Sequence, residues 1–219
     1  MKFPPLHFGT VVERQKRFKL LVDFGDHLEW AYLPNPGRLR ELIYPGAPVW
    51  LKPVHSVKRK LAYEAVLGYD SVLVCLYAAL ANKLFLESLD LLGLGGNVQV
   101  LKEVSLGHSR LDFSVDGRLV EVKSVTLVQD GLGLFPDAPT KRGTKHIYEL
   151  ADKGEGLVVF VVQRCDAEAV TFHSAMDEDF ASAMKWAKKK GVSFKAVNCI
   201  VTKEEIRPWR EIPVLFPQD

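Results

Sequence analysis

Apolar and polar positions alternate in short runs over the first 67 residues, and turn residues break the runs. Residues 10–24 read as a strand, Gly25-Asp26 as a turn, and residues 27–33 as the second arm of a hairpin closed by Pro34-Asn-Pro-Gly37. Residues 37–43 allow one or two helical turns before Pro45-Gly46, and residues 47–54 and 60–67 supply two more strands. Short strands around one small helix predict a small Greek-key barrel of the OB type, an architecture that often carries nucleic acid but does not by itself establish function.

From residue 68 the pattern changes. A strand-like run at 72–76 leads into a helical stripe over 77–91 bearing Leu80, Leu84 and Leu91, and residues 92–96 (Leu-Gly-Leu-Gly-Gly) end it. Strands are expected at 98–104, 110–115 and 118–125, then a loop over 129–139 and a helix over 140–153. The unbroken apolar run 157–163 reads as a strand buried on both faces. An amphipathic helix over 177–190 ends in Lys188-Lys189-Lys190, which complements its dipole. A strand at 193–201 precedes a proline-containing tail read as irregular. The order α-β-β-β-α-β predicts an α/β domain with a mixed central sheet. The expected organisation is therefore a basic OB-like domain over residues 1–67 and an α/β domain over 68–219.

Composition narrows the class. With 47% apolar and 26% charged residues the chain is an ordinary folded protein, not a disordered one. No apolar run approaches the ~18 residues of a membrane span, and Met-Lys-Phe-Pro-Pro lacks the apolar core of a signal peptide, so a cytoplasmic protein is expected. Cys75, Cys165 and Cys199 are too scattered for a disulfide framework or a zinc site and read as buried thiols. The histidines show no HxxxH or HExxH spacing, so any metal needs carboxylates. The net charge of +2 is unevenly placed: residues 1–67 hold 11 basic and 6 acidic residues, the remainder 18 and 21. A basic first segment suggests an anionic partner there, against the alternative of a solvated lysine-rich surface.

The richest chemistry lies between Arg110 and Ser124. Asp116-Gly117 is a strong two-residue hairpin loop, so Val115 should pair with Arg118, Asp112 should face Glu121, and Arg110 should face Lys123. Alternation then puts these four charged residues on one face, and Leu111, Phe113, Val120 and Val122 on the other. Two carboxylates about 5 Å apart repel by about 3 kcal/mol at an effective dielectric near 20. A hard cation such as Mg²⁺ or Mn²⁺ would hold them together, with a lysine to orient its water. A salt lattice built by Arg110 and Lys123 answers the same problem without metal.

Asp112 followed by Glu121-Val-Lys123 on the next strand resembles the PD-(D/E)xK nuclease superfamily. The longer stretches Ser109-Arg-Leu-Asp-Phe113, Val120-Glu-Val-Lys-Ser-Val-Thr-Leu127 and Phe135-Pro-Asp-Ala-Pro-Thr-Lys-Arg-Gly-Thr-Lys-His146, then Glu149-Leu150, resemble the sugar fermentation stimulation protein A family. Arg14-Gln-Lys-Arg-Phe18, Pro34-Asn-Pro-Gly37 and Lys58-Arg-Lys60 extend that resemblance over nearly the whole chain. It implies an OB-like N-terminal domain and a nuclease-like C-terminal domain in a DNA-binding family linked to sugar metabolism. It also implies Asp112 and Glu121 as ligands of Mg²⁺ or Mn²⁺, the Val122 carbonyl as a third ligand, and Lys123 as catalytic base or charge stabiliser. Glu103 is expected to supply the additional acid, with Glu87 as the alternative. Leu111 stands where the superfamily name has proline.

Thr140 should cap its helix and place free amides beside Lys141, Arg142, Lys145 and His146, where together with Arg110 they could seat a phosphate. His146 could equally pack against the loop. In the basic segment Arg14, Lys16, Arg17, Lys19, Arg38, Arg40 and Lys58, Arg59 and Lys60 are candidates for phosphate contact, with Phe18, Trp30 and Tyr32 for base stacking. Trp30 and Tyr32 share a strand face and are expected in the core. No helix-turn-helix or zinc finger is present, so DNA binding is expected to be sequence-nonspecific. Three readings stand: a metal-dependent nuclease, a non-catalytic DNA-binding regulator of sugar metabolism genes, and an enzyme acting on another phosphate-bearing substrate.

Overall fold

The computed structural model describes residues 1–54, 61–107 and 109–217. Its first unit comprises β1 (His7–Gln15), β2 (Lys19–Asp23), β3 (Leu28–Tyr32), β4 (Pro48–Pro53), β5 (Tyr63–Asp70) and β6 (Val72–Cys75), hydrogen-bonded in the order β3-β2-β1-β4-β5-β6. A further parallel pairing of β3 with β5, Ala31 to Tyr63 and Tyr32 to Glu64, closes five of these strands into the expected OB barrel. Closure removes the exposed strand edges that an open sheet would leave. Val11, Leu20, Val22, Ala31, Leu33, Leu39, Val49 and Leu51 fill the interior.

Two details of the barrel differ from the sequence reading. Residues 10–24 are two strands, because the chain reverses at Lys16, which takes φ +55°, without the glycine or proline that usually marks a turn. Residues 37–43 do hold a single helical turn, closed by the Ile43 amide on the Leu39 carbonyl at 2.8 Å, as expected. Residue 67 lies inside β5, and the sheet continues across a tight reversal at Ser71, φ +60°, to Cys75.

The second unit is a six-stranded mixed sheet. A single 3₁₀ turn (Ala78–Leu80) leads into α1 (Ala81–Glu87), shorter than the predicted helix, and then β7 (Val100–Leu106), β8 (Ser109–Val115) and β9 (Arg118–Val125). There follow β10 (Val128–Gln129), β11 (Leu132–Phe135), α2 (Lys141–Asp152), β12 (Gly156–Val162), β13 (Ala169–Phe172), α3 (Glu178–Lys189), β14 (Ser193–Val201) and β15 (Ile206–Ile212). The order is β15-β14-β12-β9-β8-β7, with β9, β12 and β14 parallel and both margins antiparallel. Every residue of β12 is buried, as its unbroken apolar run requires. The proline-containing tail is not irregular: β15 pairs at the sheet edge, where Pro208 can be accommodated. The predicted loop at 129–139 contains β11, which pairs with β10 and β13 in a small second sheet.

The sheet divides two apolar layers. On one face α2 and α3 cover Leu111, Val125, Val158 and Phe160 with Ile147, Leu150, Phe180 and Met184. On the other, α1 covers Phe113, Val120, Val122 and Val159 with Leu84 and Phe85, and this layer also takes in Val66, Leu67 and Cys75 from the barrel. Thr140 caps α2 by accepting from the Gly143 amide, and Asp177 caps α3 while its other oxygen takes the Thr140 amide at 2.7 Å. One carboxylate thus fixes the start of both helices. No helix among the described residues is long and apolar enough to cross a membrane.

Candidate metal and phosphate site

As far as Phe113 the hairpin register is the predicted one, with Val115 opposite Arg118 and Phe113 opposite Val120, but the expected ladder pairs of Asp112 with Glu121 and of Arg110 with Lys123 are not formed, and the Arg110 side chain pairs with Glu103 instead. Beyond Phe113 the ladder opens. The Asp112 carboxylate steps into it, its Oδ2 accepting the Val122 amide at 2.9 Å and its Oδ1 accepting Asn82 Nδ2 of α1 at 3.0 Å. The break costs β8 one step of alternation: Leu111 packs in the layer under α2, whereas Phe113 packs against Phe85 in the layer under α1. Leu111 therefore does not share a face with Phe113, as regular alternation predicted. On the neighbouring edge strand, Glu103 takes φ +52°.

Glu121 and Lys123, two residues apart on β9, point to the same side of the sheet, toward α2. Lys123 Nζ donates to Glu121 Oε1 at 2.7 Å, and His146 Nδ1 stands 2.8 Å from the same oxygen. Glu121 is only 4% exposed, and its second oxygen, Oε2, is buried without a hydrogen-bond partner. Burial pushes the Glu121 carboxyl up, but the His146 hydrogen bond and the Lys123 charge overcome it and leave the group below the ordinary glutamate range. Asp112 is shifted the other way. Burial and then the charge of Glu121 raise it, against the pull of the Val122 amide and Asn82.

Two acids held at contrasting protonation tendencies beside a buried lysine are a functional-site signature as well as a structural one. The orphaned Glu121 Oε2 and the oxygens of Asp112 suit a hard divalent cation, which takes carboxylate and carbonyl oxygens and water. The additional acid is not gathered here. Glu103 pairs with Arg110 on the surface at 3.1 Å, and Glu87 faces the Met1 ammonium at 3.7 Å. Among the described residues no group of three or more His, Cys, Asp or Glu side chains is arranged to hold a metal. From α1 it is Asn82 that reaches Asp112. Glu87, five positions on, lies about 140° around the helix from it.

The cationic residues expected around a phosphate do converge. Arg110, Lys141, Arg142, Lys145 and His146 line one open depression of about 620 Å³ with Ser105, Gly107 and Ser109. His146 is thus both a wall of that depression and a hydrogen-bond partner of Glu121. Lys123 lines a second cavity, of about 300 Å³, with Ser124, Thr126, Asp137 and, from the barrel, Arg17, Asn35 and Gly37.

On the barrel, Arg14, Lys16, Arg17, Arg38 and Arg40 surround a shallow groove of about 720 Å³. Arg14 is committed to the backbone there. Its guanidinium donates to the carbonyls of Arg17, Gly37 and Arg38, so it shapes the groove more than it fills it. Lys58, Arg59 and Lys60 lie outside the described residues. Trp30 and Tyr32 share a face as expected, but it is the outer one, because Ala31 takes the core position on β3. Lys19 lies over the Trp30 ring at 5.3 Å, and Phe18 stands 6.1 Å from Tyr32.

Sequence reasoning missed Asn82, Gln163 and Arg164. Gln163 accepts from Ser124 Oγ and donates to the carbonyls of Cys75 and Tyr77, so it ties the strand bearing Lys123 to the end of the barrel. Arg164 reaches Asp70 of β5. Their partners are too distant in sequence for any local pattern to announce them.

Comparison with known proteins agrees with this architecture. Residues 12–76 match the sugar fermentation stimulation protein N-terminal OB domain, and residues 79–205 match the sugar fermentation stimulation protein RE domain. A sugar fermentation stimulation protein homolog of Clostridium botulinum (strain Langeland) is 36% identical over 212 residues, covering 89% of this chain and 90% of its own. Its counterpart in Alkaliphilus metalliredigens is 39% identical over 212 residues, covering 90% and 91%. The structure of Pyrococcus furiosus SfsA in complex with Ca²⁺ superimposes with a TM-score of 0.89 at 27% identity, covering 98% of both chains.

Proposed function

This chain belongs to the sugar fermentation stimulation protein family, and on that premise we propose that it is a DNA-binding protein with a nuclease-type site. The proposed activity is divalent-metal-dependent phosphodiester cleavage in a C-terminal unit of PD-(D/E)xK nuclease-like form. The observation that carries the reading is the buried, unpartnered Oε2 of Glu121 beside Asp112 and Lys123. A buried carboxylate oxygen without a donor is costly, and a cation would remove that cost.

Asp112, Glu121 and the Val122 carbonyl would hold Mg²⁺ or Mn²⁺, which supplies an activated water and a sink for phosphate charge. The P. furiosus relative was solved with Ca²⁺, another cation that prefers oxygen ligands. Asn82 and the Val122 amide fix the orientation of Asp112, and His146 fixes that of Glu121. Lys123, which lines the cavity while its ammonium is held on Glu121 Oε1, would orient a water and offset negative charge on the phosphate. Arg110, Lys141, Arg142 and Lys145 supply backbone attraction for a neighbouring phosphate, and the barrel groove supplies more. Such contacts position a nucleic acid without reading its sequence.

A second reading has its own observation. With two carboxylates in place of three, and with Glu121 Oε1 already held by Lys123 and His146, the site also suits a binder that keeps the fold as a DNA platform in regulating sugar metabolism genes. Incubation of labelled single- and double-stranded DNA with Mn²⁺ separates the two. The nuclease reading expects cleavage by the wild type, loss of it in Asp112→Asn, and DNA affinity retained by the variant. Salt-dependent binding with no Mn²⁺-dependent cleavage by the wild type would favour the platform.

A further inference from the structure

The barrel groove and the Lys123 cavity are not separate features. They share Arg17, Pro36 and Gly37 on the barrel side and Ala138 and Pro139 on the side of the second unit. The two therefore adjoin along one track: the exposed cations Arg38, Arg40 and Lys16 stand on one side of a shared rim that includes Pro36 and Pro139 at the seam between the two units, and Lys123 and Ser124 on the other. Among the described residues, no carboxylate forms an ion pair with Arg17, Arg38 or Arg40, so their charge is available to a ligand.

The rim is rigid. A Cβ built on Gly37 would lie 2.2 Å from Asp137 Oδ2, so the glycine lets the barrel loop rest against the Asp137 carboxylate, which any larger residue would displace. Arg14 clamps the same loop from the other side through the carbonyls of Gly37 and Arg38. Behind the rim, Gln163 and Ser124 tie the cavity wall to the barrel at 2.9 and 3.2 Å. Spreading this seam to admit a wide ligand would break these hydrogen bonds.

We infer that this track carries one single-stranded DNA segment, which the barrel delivers across the seam to Lys123. The inference deepens the nuclease-type reading and rests on it for the chemistry at the far end of the track. The cavity's ~300 Å³ is the volume of about ten liquid waters, room for a nucleotide but not for a duplex. Cations at the entrance meet the sugar-phosphate backbone, and Pro36, Ala138 and Pro139 present apolar faces to an unstacked base or sugar. A duplex could lie against the entrance groove but could not follow it to Lys123.

The test measures binding without metal, so that it does not depend on cleavage. Fluorescence anisotropy in EDTA compares a labelled oligothymidylate with a hairpin duplex of equal charge over a salt series. The wild type is expected to bind the single strand at least about tenfold more tightly. Arg17→Ala/Arg38→Ala, at two exposed positions, should lose about tenfold in single-strand affinity and about 1.4 in the slope of log K against log salt, two contacts at about 0.7 each. Lys189→Ala/Lys190→Ala, which removes the same charge at the C-terminal end of α3 outside the track, should leave the affinity within about twofold and the slope unchanged. Equal affinity for duplex and single strand, or an Arg17→Ala/Arg38→Ala protein that binds single strands like the control, overturns the inference. If strand preference and its loss are seen while no DNA is cut, the track stands and the nuclease-type reading falls.

Discussion

Arg164 is a charged joint between the barrel and the second unit, and its removal has a calculable consequence. It is 2% exposed, yet every guanidinium nitrogen is used: Nε and Nη2 grip Asp166 at 2.6 Å each, Nη1 donates to Asp70 at 2.9 Å and to the Thr126 carbonyl at 3.1 Å, and Nη2 also reaches the Asp70 carbonyl. In Arg164→Met a side chain of similar reach fills the space but leaves both aspartates without their cation. Breaking a buried ion pair costs about 3–5 kcal/mol. Asp70 and Asp166 are each about a third exposed and can rehydrate, which places the loss near the lower end, about 3 kcal/mol. For a chain of this length that is a fall of about 6–12 °C in Tm. Arg164→Lys keeps the charge but loses the planar fork and should fall between the two. Thermal unfolding at pH 7, followed by circular dichroism, measures all three proteins. A drop below about 2 °C for Arg164→Met would refute the reasoning, because it would mean that the network contributes less than about 1 kcal/mol.

The opposite shifts of the two acids give opposite pH signatures. The Asp112 carboxyl is raised in the folded state, so the stability of wild type relative to Asp112→Asn should increase as pH falls through the upper part of the carboxylate range. Glu121 is depressed, so its contribution is complete above the ordinary glutamate value, and wild type should lose its advantage over Glu121→Gln as pH falls through the lower part of that range. Urea denaturation at a series of pH values reads both signs, and two curves of the same slope would contradict the assignment. Thiol labelling tests the core. Burial pushes the Cys75 thiol up to about 11 and raises that of Cys199 as well, while Cys165 is half-buried. A disulfide reagent at pH 8 should modify Cys165 first, and the other two at the rate of unfolding.

What the sequence disclosed was local. Asp116-Gly117 fixed the register that brings Asp112 toward Glu121, because a turn at φ +48° and +83° demands those residues. The barrel and the parallel core strands were legible from alternation and from the unbroken run that became β12. The reversal at Lys16 was not, since no turn residue marks it. Pro208 concealed β15, because a proline reads as a strand breaker unless the edge position is known. Within the site, Glu121 and Lys123 stand together on β9 as the motif places them, and His146, expected only beside a phosphate or against the loop, also reaches Glu121, whereas Glu103 and Glu87 were plausible only by sequence order and turn to other partners. Asn82, Gln163 and Arg164 depend on contacts 30, 39 and 94 residues away, which only the folded chain establishes.

The proposed metal site depends most on the unpartnered oxygen of Glu121, and calorimetric titration of Mn²⁺ into metal-free protein tests it directly. Wild type should bind one Mn²⁺. Glu121→Gln and Asp112→Asn, each checked for cooperative thermal unfolding, should bind at least about tenfold more weakly. Wild-type Mn²⁺ affinity in a folded Glu121→Gln protein would contradict the assignment of that oxygen as a metal ligand.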